Sequence, residues 1–131
     1  MMPKTKISKV LSKKNQKPDT HFKEPNNNLE RLLIDTDVGS DVDDALAILF
    51  ALKSPYLSVE GITTVYGKVD IRAKIAKKIV DYAGLDIPVH AGERTPINTN
   101  FPIWHVGREG EGVLNSTEYS KSLAEMDIGN R

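Results

Sequence analysis

The chain has 131 residues, enough for one modest domain, and contains no cysteine, which excludes disulfides and thiolate chemistry. Its net charge of zero combines a basic segment, residues 1–28, with seven lysines against two acidic residues, and an acidic remainder, residues 29–131, with a net charge of −5. The sequence has no apolar run of membrane-spanning length and no signal-peptide core, so we expect a cytoplasmic protein that binds neither membrane nor nucleic acid.

Residues 1–28 are predicted to form a disordered basic tail. They are rich in Lys, Asn and Pro and poor in apolar side chains. Such a segment cannot bury enough apolar surface to offset the entropy that it would lose on ordering. A basic tail can contact nucleic acid or an anionic membrane, but a solvated leader is the commoner role and the one that we expect.

The next segment predicts a strand, an acidic turn and a helix. Residues 29–37 contain the apolar run Leu32–Ile34 directly before the first aspartates, which is typical of a buried strand. A turn follows at Gly39. A helix is predicted to open at Asp43-Asp44 and to stop at Ser54-Pro55, because proline prevents its continuation. This helix is almost wholly apolar, so we expect it to be covered on most sides.

Two more strands and a second helix complete the predicted core. Residues 57–66 are rich in β-branched side chains, and residues 87–91 form a short third strand. Between them, apolar residues recur at helical spacing from Ile71 to Tyr82, and Gly84 caps the helix; the cationic positions between them are Arg72, Lys74, Lys77 and Lys78. The order β-α-β-α-β predicts an α/β fold, a Rossmann-like, doubly wound and mostly parallel sheet.

After Gly92 the helical and strand periodicities fail. The glycine-rich run Gly107–Gly112 has the wrong spacing for a phosphate cradle and follows no strand, so we interpret it as a loop or lid over the site. Asn115 and Glu118 form a capping pair that predicts a last helix through about Met126.

The clearest chemical signal is a cluster of five aspartates within ten positions, Asp35, Asp37, Asp41, Asp43 and Asp44. Carboxylates at this density repel one another unless a cation lies among them, and calcium tolerates the irregular oxygen geometry of a loop. In open α/β sheets, ligands bind beyond the carboxyl ends of the strands, where this cluster falls. Capping of the following helix explains only one or two of the five. We therefore predict a metal or catalytic site.

Four motifs occur in order along the chain: D-T-D-V-G-S-D-V-D-D-A at Asp35–Ala45, I-T-T-V-Y-G at Ile62–Gly67, V-H-A-G at Val89–Gly92 and W-H-V-G-R-E-G-E-G at Trp104–Gly112. Together they resemble the N-terminal portion of the inosine–uridine-preferring nucleoside hydrolases. The resemblance implies that residues 29–131 form the N-terminal part of a nucleoside hydrolase-like α/β domain.

What the resemblance implies is calcium-dependent hydrolysis of the N-glycosidic bond of ribonucleosides, giving ribose and free base. By their place in the first motif, Asp37 and Asp44 would bind Ca2+, and Asp37 would also take the proton from the attacking water. Asp43 would hold the ribose 2′-hydroxyl, and Asp35 would support the substrate site from behind.

The family pattern also predicts what this sequence does not supply. Lys68 stands where the second motif commonly ends in Asn or an acid, and Arg108 stands where the glycine-rich loop usually carries His. Family members run to roughly twice this length, so further calcium ligands and base contacts would lie in other residues. His105 is the one stand-in for the acid that protonates the leaving base, whereas His90 is expected to be structural. We expect little or no hydrolase activity from the 131 residues alone.

Two alternatives stay open. The run I-D-T-D-V at Ile34–Val38 looks like the strand end of haloacid-dehalogenase-like phosphatases, with Asp35 as nucleophile and Asp37 as acid and base. In the other alternative the chain is an inactive truncated fragment or binding remnant. Half a doubly wound sheet exposes an edge and apolar helix faces, which favours a homo-oligomer or a complementing chain.

Overall fold

The computed structural model describes residues 29–100, 102–103 and 107–129. The predicted basic tail, Trp104 and His105 lie outside these described residues. The elements in chain order are strand β1 (Glu30–Thr36), helix α1 (Asp43–Lys53), strand β2 (Leu57–Thr64), helix α2 (Val69–Ala83), strand β3 (Val89–Ala91), helix α3 (Ser116–Ser120) and a 3-10 helix (Ala124–Met126). No helix in the described ranges is long and apolar enough to cross a membrane.

The three strands form one parallel sheet in the order β1-β2-β3. Ile34 pairs with Ile62, and Ile62 pairs with Val89, so the strands are in step at the centre of the sheet. Helices make both crossovers, as parallel neighbours require, and α1 contacts α2, which places both helices on one face. The predicted α/β class with a parallel sheet is confirmed. The opposite face presents side chains such as Leu33, which is 75% exposed.

The core lies between the sheet and helices α1 and α2. Ile62 and Val89 of the sheet meet Ile48 of α1, and Ala73 and Val80 of α2 complete the cluster; none of the five is more than 1% exposed. Because side chains alternate along a strand, the residues between the core positions point to the other face. This alternation separates the aspartates of the site, as described below.

Helix α2 buries most of its predicted apolar stripe, with Ile75 and Val80 at most 2% exposed, and it also buries residues beside that stripe. Ala73, Arg72 and Lys74 are at most 5% exposed, whereas Tyr82, which belongs to the predicted apolar pattern, is 84% exposed. Small side chains let this helix approach the sheet closely, and the neighbouring side chains of Arg72 and Lys74 are then covered by other segments of the chain. There they bind backbone carbonyls: Lys74 Nζ donates to the Tyr119 carbonyl at 2.7 Å.

Helix α1 begins at Asp43 and ends at Lys53, before Ser54-Pro55, as predicted. Its surroundings differ from the prediction, because only Ile48 and Ala51 are buried, while Leu46 and Phe50 are 59% and 77% exposed. Contacts with α2 and β2 cover one side of a helix that is apolar all round. The expectation that α1 is covered on most sides is therefore wrong for the part of the chain that the structure describes.

The predicted last helix is broken in two. Asn115 and Glu118 do form the capping box, each side chain binding the backbone N–H of the other at 2.8 Å. A second set of capping bonds follows at Ser122 and Glu125, where Glu125 Oε2 accepts from the Ser122 N–H at 2.8 Å. These local bonds compete with continuation of α3, so the helix stops and the short 3-10 helix begins.

Candidate functional site

The loop that follows β1 positions the acidic residues. Thr36, the last residue of the strand, is buried, and its hydroxyl accepts a hydrogen bond from the Val38 N–H at 3.1 Å. Gly39 then adopts φ of +115°, and a Cβ at this position would lie 2.5 Å from Ile75 Cδ1. The loop therefore needs glycine for both its backbone conformation and its close approach to α2. Asp37 remains exposed beside the buried Val38.

Asp37, Asp43 and Asp44 come together where this loop meets α1, and we call them the aspartate group. The pKa of Asp44 is raised, first by partial burial and then by the negative charges of Asp37 and Asp43. A hydrogen bond from the Thr36 hydroxyl lowers this pKa, and one shared with the Asp37 carboxyl raises it. The carboxyl groups of Asp37 and Asp43 are thus near enough to Asp44 for their charges to act on it. Acidic groups held this close favour a shared proton or a bound cation.

The other two aspartates of the predicted cluster lie apart. Asp35 is exposed in β1, on the face opposite to the helices, and accepts a hydrogen bond from the Thr63 hydroxyl at 2.6 Å. Asp41 is exposed in the loop. Neither is among the groups that chiefly shift the pKa of Asp44. The supporting role predicted for Asp35 stays a prediction.

The aspartate group fits part of a calcium site. Asp37 and Asp44 offer two carboxylates whose mutual repulsion a cation would relieve. Calcium takes about six to eight oxygen ligands. Within the described ranges, no cluster of three or more acidic or histidine side chains is placed to hold a metal ion by itself. The other oxygens would have to come from water, from the substrate or from further residues.

A buried arginine lies under the same loop. Arg72 of α2 is 1% exposed, and its guanidinium donates to the backbone carbonyls of Asp37 and Val38, the latter at 3.1 Å. It also donates to Ser40 Oγ at 3.1 Å and to the Tyr66 carbonyl at 2.8 Å. One side chain thus joins the loop after β1 to the turn after β2.

A buried ion pair holds the glycine-rich loop beside the site. The Glu109 side chain is 0% exposed, and its Oε2 lies 3.2 Å from Nζ of Lys68, which is 38% exposed. Burial acts to raise the pKa of Glu109, but backbone N–H groups at Glu109 and Gly107 and the Lys68 ammonium together lower it. Neither carboxylate oxygen accepts a hydrogen bond of ordinary geometry, and the ammonium of Lys68 provides the opposite charge beside the carboxylate. Lys68 therefore faces a loop carboxylate.

The sequence motifs assign no role to Arg72 or to Glu109, although Glu109 lies within the fourth motif. Arg72 lies three residues after Val69 and four residues before Ala76, so all three are on one face of helix α2. The apolar residues on that face are a local signal that Arg72 is buried. No comparable local signal exists for Glu109. Its burial depends on Lys68 and on packing across the loops.

Among the histidines, His90 lies in the described residues, in β3. It is exposed and forms a parallel bridge with Gly129 at the sheet edge. The structural role expected for His90 stays a prediction. His21 and His105 lie outside the described residues, so the prediction that His105 stands in for the acid is untested.

A surface cavity of about 740 Å³ lies beside the N-terminal end of α2, lined in part by Lys74, Arg94 and Lys121. None of its lining residues belongs to the aspartate group. Two of its three cations already have partners: Lys74 donates to a backbone carbonyl, and Arg94 forms an ion pair with Asp70. The cavity is therefore a separate feature from the candidate site.

Comparison with known proteins identifies relatives of this chain. The family model described as "Inosine-uridine preferring nucleoside hydrolase" matches residues 32–127. Uridine nucleosidase 1 of Arabidopsis thaliana is 40% identical over 76 residues, which are 56% of this chain and 22% of that protein. Probable uridine nucleosidase 2 of the same plant is 42% identical over 66 residues, or 48% of this chain and 20% of the relative. Non-specific ribonucleoside hydrolase RihC of Salmonella newport is 38% identical over 68 residues, which are 50% of this chain and 22% of that protein. The matched segment thus spans about a fifth of these relatives.

Proposed function

Because this chain belongs to the family of inosine-uridine preferring nucleoside hydrolases, we propose that it contributes metal-binding and water-activating aspartates to calcium-dependent hydrolysis of the N-glycosidic bond of ribonucleosides. The observation that carries the proposal is the Asp37–Asp44 carboxyl pair at the carboxyl end of β1. In open α/β sheets this is the end where ligands bind.

In this proposal Asp37 and Asp44 hold calcium, which supplies a positive charge that lowers the pKa of adjacent water and attracts the ribose hydroxyls. Asp37, which is exposed, takes the proton from the attacking water. Asp43 accepts a hydrogen bond from the ribose 2′-hydroxyl and orients the sugar towards that water. Positive charge develops on the ribose in the transition state, and the neighbouring carboxylates stabilise it. Asp35, bonded to Thr63, supports β1 behind the site.

The proposal assigns the calcium and ribose end of the site to this chain. Since the matched segment covers 22% of Uridine nucleosidase 1, contacts to the base and the acid that protonates the leaving base belong to other residues. We therefore expect the 131 residues alone to bind calcium weakly and to release little or no base from uridine or inosine. A ribonucleoside partner and a cytoplasmic location are part of the same proposal.

Calorimetric titration with calcium tests the metal site directly. We expect heat of binding from the chain, no measurable binding by Asp37→Asn, and unchanged binding by Asp86→Asn, which removes an exposed carboxylate in the connection between α2 and β3. The Asp86 variant controls for the general loss of one negative charge. If the unmodified chain does not bind calcium, or if both variants lose binding equally, the proposal is wrong.

Release of free base tests the reaction. In the complete protein that carries this segment, uridine or inosine should be hydrolysed, and Asp37→Asn should abolish the activity without changing the Tm by more than a few degrees. Base release by the isolated 131 residues would contradict the division of the site proposed above. Hydrolysis of a phosphate ester in place of a nucleoside would favour the phosphatase alternative, with Asp35 as nucleophile.

A further inference from the structure

The feature that carries a further inference is the guanidinium of Arg72, which is buried under the loop that presents Asp37. Its Nη1 donates to the Asp37 and Val38 carbonyls, and its Nη2 donates to Ser40 Oγ. Three of the four residues between β1 and Asp41 are therefore bound to one rigid planar group. Because a guanidinium presents its donors in a fixed fork, it fixes the path of the backbone as well as its position.

The charge of Arg72 is not paired with a carboxylate among the described residues. Burying a cation without a counter-ion is unfavourable, and a neutral side chain could fill the same space. The guanidinium is instead satisfied by backbone carbonyls and by Ser40 Oγ, and the loop that supplies most of these acceptors also carries Asp37.

The turn after β2 is adapted to the same guanidinium. Tyr66 adopts φ of +69°, a left-handed conformation that is uncommon for a residue with a side chain. In this conformation its carbonyl accepts from Arg72 Nε at 2.8 Å, while its N–H donates to the Glu93 carbonyl at 2.9 Å. Unfavourable backbone conformations persist where surrounding contacts determine them, and they cluster at functional sites.

We propose that Arg72 is the positioning residue of the calcium site: it ties the loop that carries Asp37 to the turn at Tyr66, so that this loop is held in place before metal binds. This inference rests on the proposed function. It adds to the proposed function that a buried side chain, Arg72, which binds neither metal nor substrate, holds the loop of the site in place.

The test compares Arg72→Lys with the unmodified chain. Lysine keeps the positive charge, but its donors all lie on one nitrogen, so it cannot reproduce the planar fork that binds the loop and the Tyr66 carbonyl together. We expect calcium affinity to fall about 10- to 100-fold, the range typical for loss of a partner that orients metal ligands. In the metal-free state, amide hydrogen exchange should speed up at Val38, whose N–H is bonded within the loop, and stay unchanged at Ile62 in the centre of the sheet.

Two further variants make the result decisive. Val80→Ala removes buried volume from the same helix, at 0% exposure, and should lower the Tm without changing calcium affinity. Ser40→Ala removes one acceptor of the guanidinium and should weaken calcium a few-fold; it decides the question if Arg72→Lys fails to fold. The inference is overturned if Arg72→Lys binds calcium as tightly as the unmodified chain, or if Val80→Ala loses as much affinity as Arg72→Lys. If Arg72→Lys does not fold, an unchanged calcium affinity in Ser40→Ala overturns it. A lack of calcium binding by the unmodified chain overturns the proposed function instead.

Discussion

Replacing Asp44 with asparagine should stabilise the metal-free chain while removing a calcium ligand. The pKa of Asp44 is raised by burial and then by the charges of Asp37 and Asp43, which means that the ionised form is unfavourable in the folded state. Asparagine has nearly the same shape and can still accept the hydrogen bond from the Thr36 hydroxyl. Its amide can also donate to the Asp37 carboxylate, where the native carboxylate can only repel it.

The size of the effect follows from the proximity of Asp37 and Asp44. Two unit charges about 4 Å apart repel by about 1 kcal/mol at the dielectric constant of water, and the partial burial of Asp44 keeps the pair close to that limit. A change of about 1 kcal/mol in a domain of this size corresponds to a Tm shift of about 4–8 °C. We therefore expect Asp44→Asn to raise the Tm by several degrees.

Thermal unfolding in EDTA, followed by circular dichroism, measures this shift. A folded state that raises the pKa of Asp44 binds the proton more tightly than the unfolded state does, so the native protein gains stability as the pH falls through the raised value. The advantage of Asp44→Asn should therefore be full at pH 7 and disappear towards the ordinary pKa of 3.8. Asp41→Asn, in the same loop but exposed, is the matched control and should change the Tm little.

Calcium should reverse the order of stability. Excess calcium raises the Tm of the native chain by mass action and should leave Asp44→Asn unaffected. If the asparagine variant has an equal or lower Tm in EDTA at pH 7, the two carboxyls do not oppose each other in the folded chain. In that case the argument for a cation between them fails.

Three other changes test the surroundings of the site. Lys68→Met leaves buried Glu109 without its cation and should lower the free energy of unfolding by about 3 kcal/mol in urea. Because the folded state lowers the pKa of Glu109, the ion pair stabilises the protein above the ordinary pKa of 4.5, and this stabilisation is lost as the pH falls through the lowered pKa. A difference in stability between Lys68→Met and the unmodified chain that persists in acid would contradict this reasoning. Gly39→Ala places a Cβ 2.5 Å from Ile75 Cδ1 and should cost about 1–3 kcal/mol and weaken calcium binding; unaltered urea unfolding would count against it. Ile62→Val should cost about 1 kcal/mol and leave calcium affinity unchanged, as isothermal titration would show.

The features that depend on a few consecutive residues agree with the prediction from the sequence. The start of α1 at Asp43, its end before Pro55, the left-handed cap at Gly84 and the Asn115–Glu118 capping box all occur as predicted. Each depends on the backbone preferences and hydrogen bonds of a few consecutive residues. The order of these elements was then enough to predict the parallel sheet.

Failures arose where a residue's environment depends on distant parts of the chain. The isoleucines of α2 pack on the core as predicted, but Tyr82 of the same stripe is exposed, and the close approach of the helix to the sheet buries Arg72. The expected long helix after Asn115 failed because a second capping pair lies within it. The outer side of α1 is apolar in sequence, but Leu46 and Phe50 on that side are exposed among the described residues.

The aspartate signature by itself predicted a cation or catalytic site at the carboxyl end of β1, because so many acids in ten positions have few other uses. Which of the five carboxyls meet was decided only by the tertiary structure. Strand alternation turns Asp35 to the other face, while the glycine turn and the guanidinium of Arg72 hold the loop that carries Asp37. The contacts of Arg72 with Asp37 and of Gly39 with Ile75 join residues more than thirty positions apart, and no local pattern encodes them.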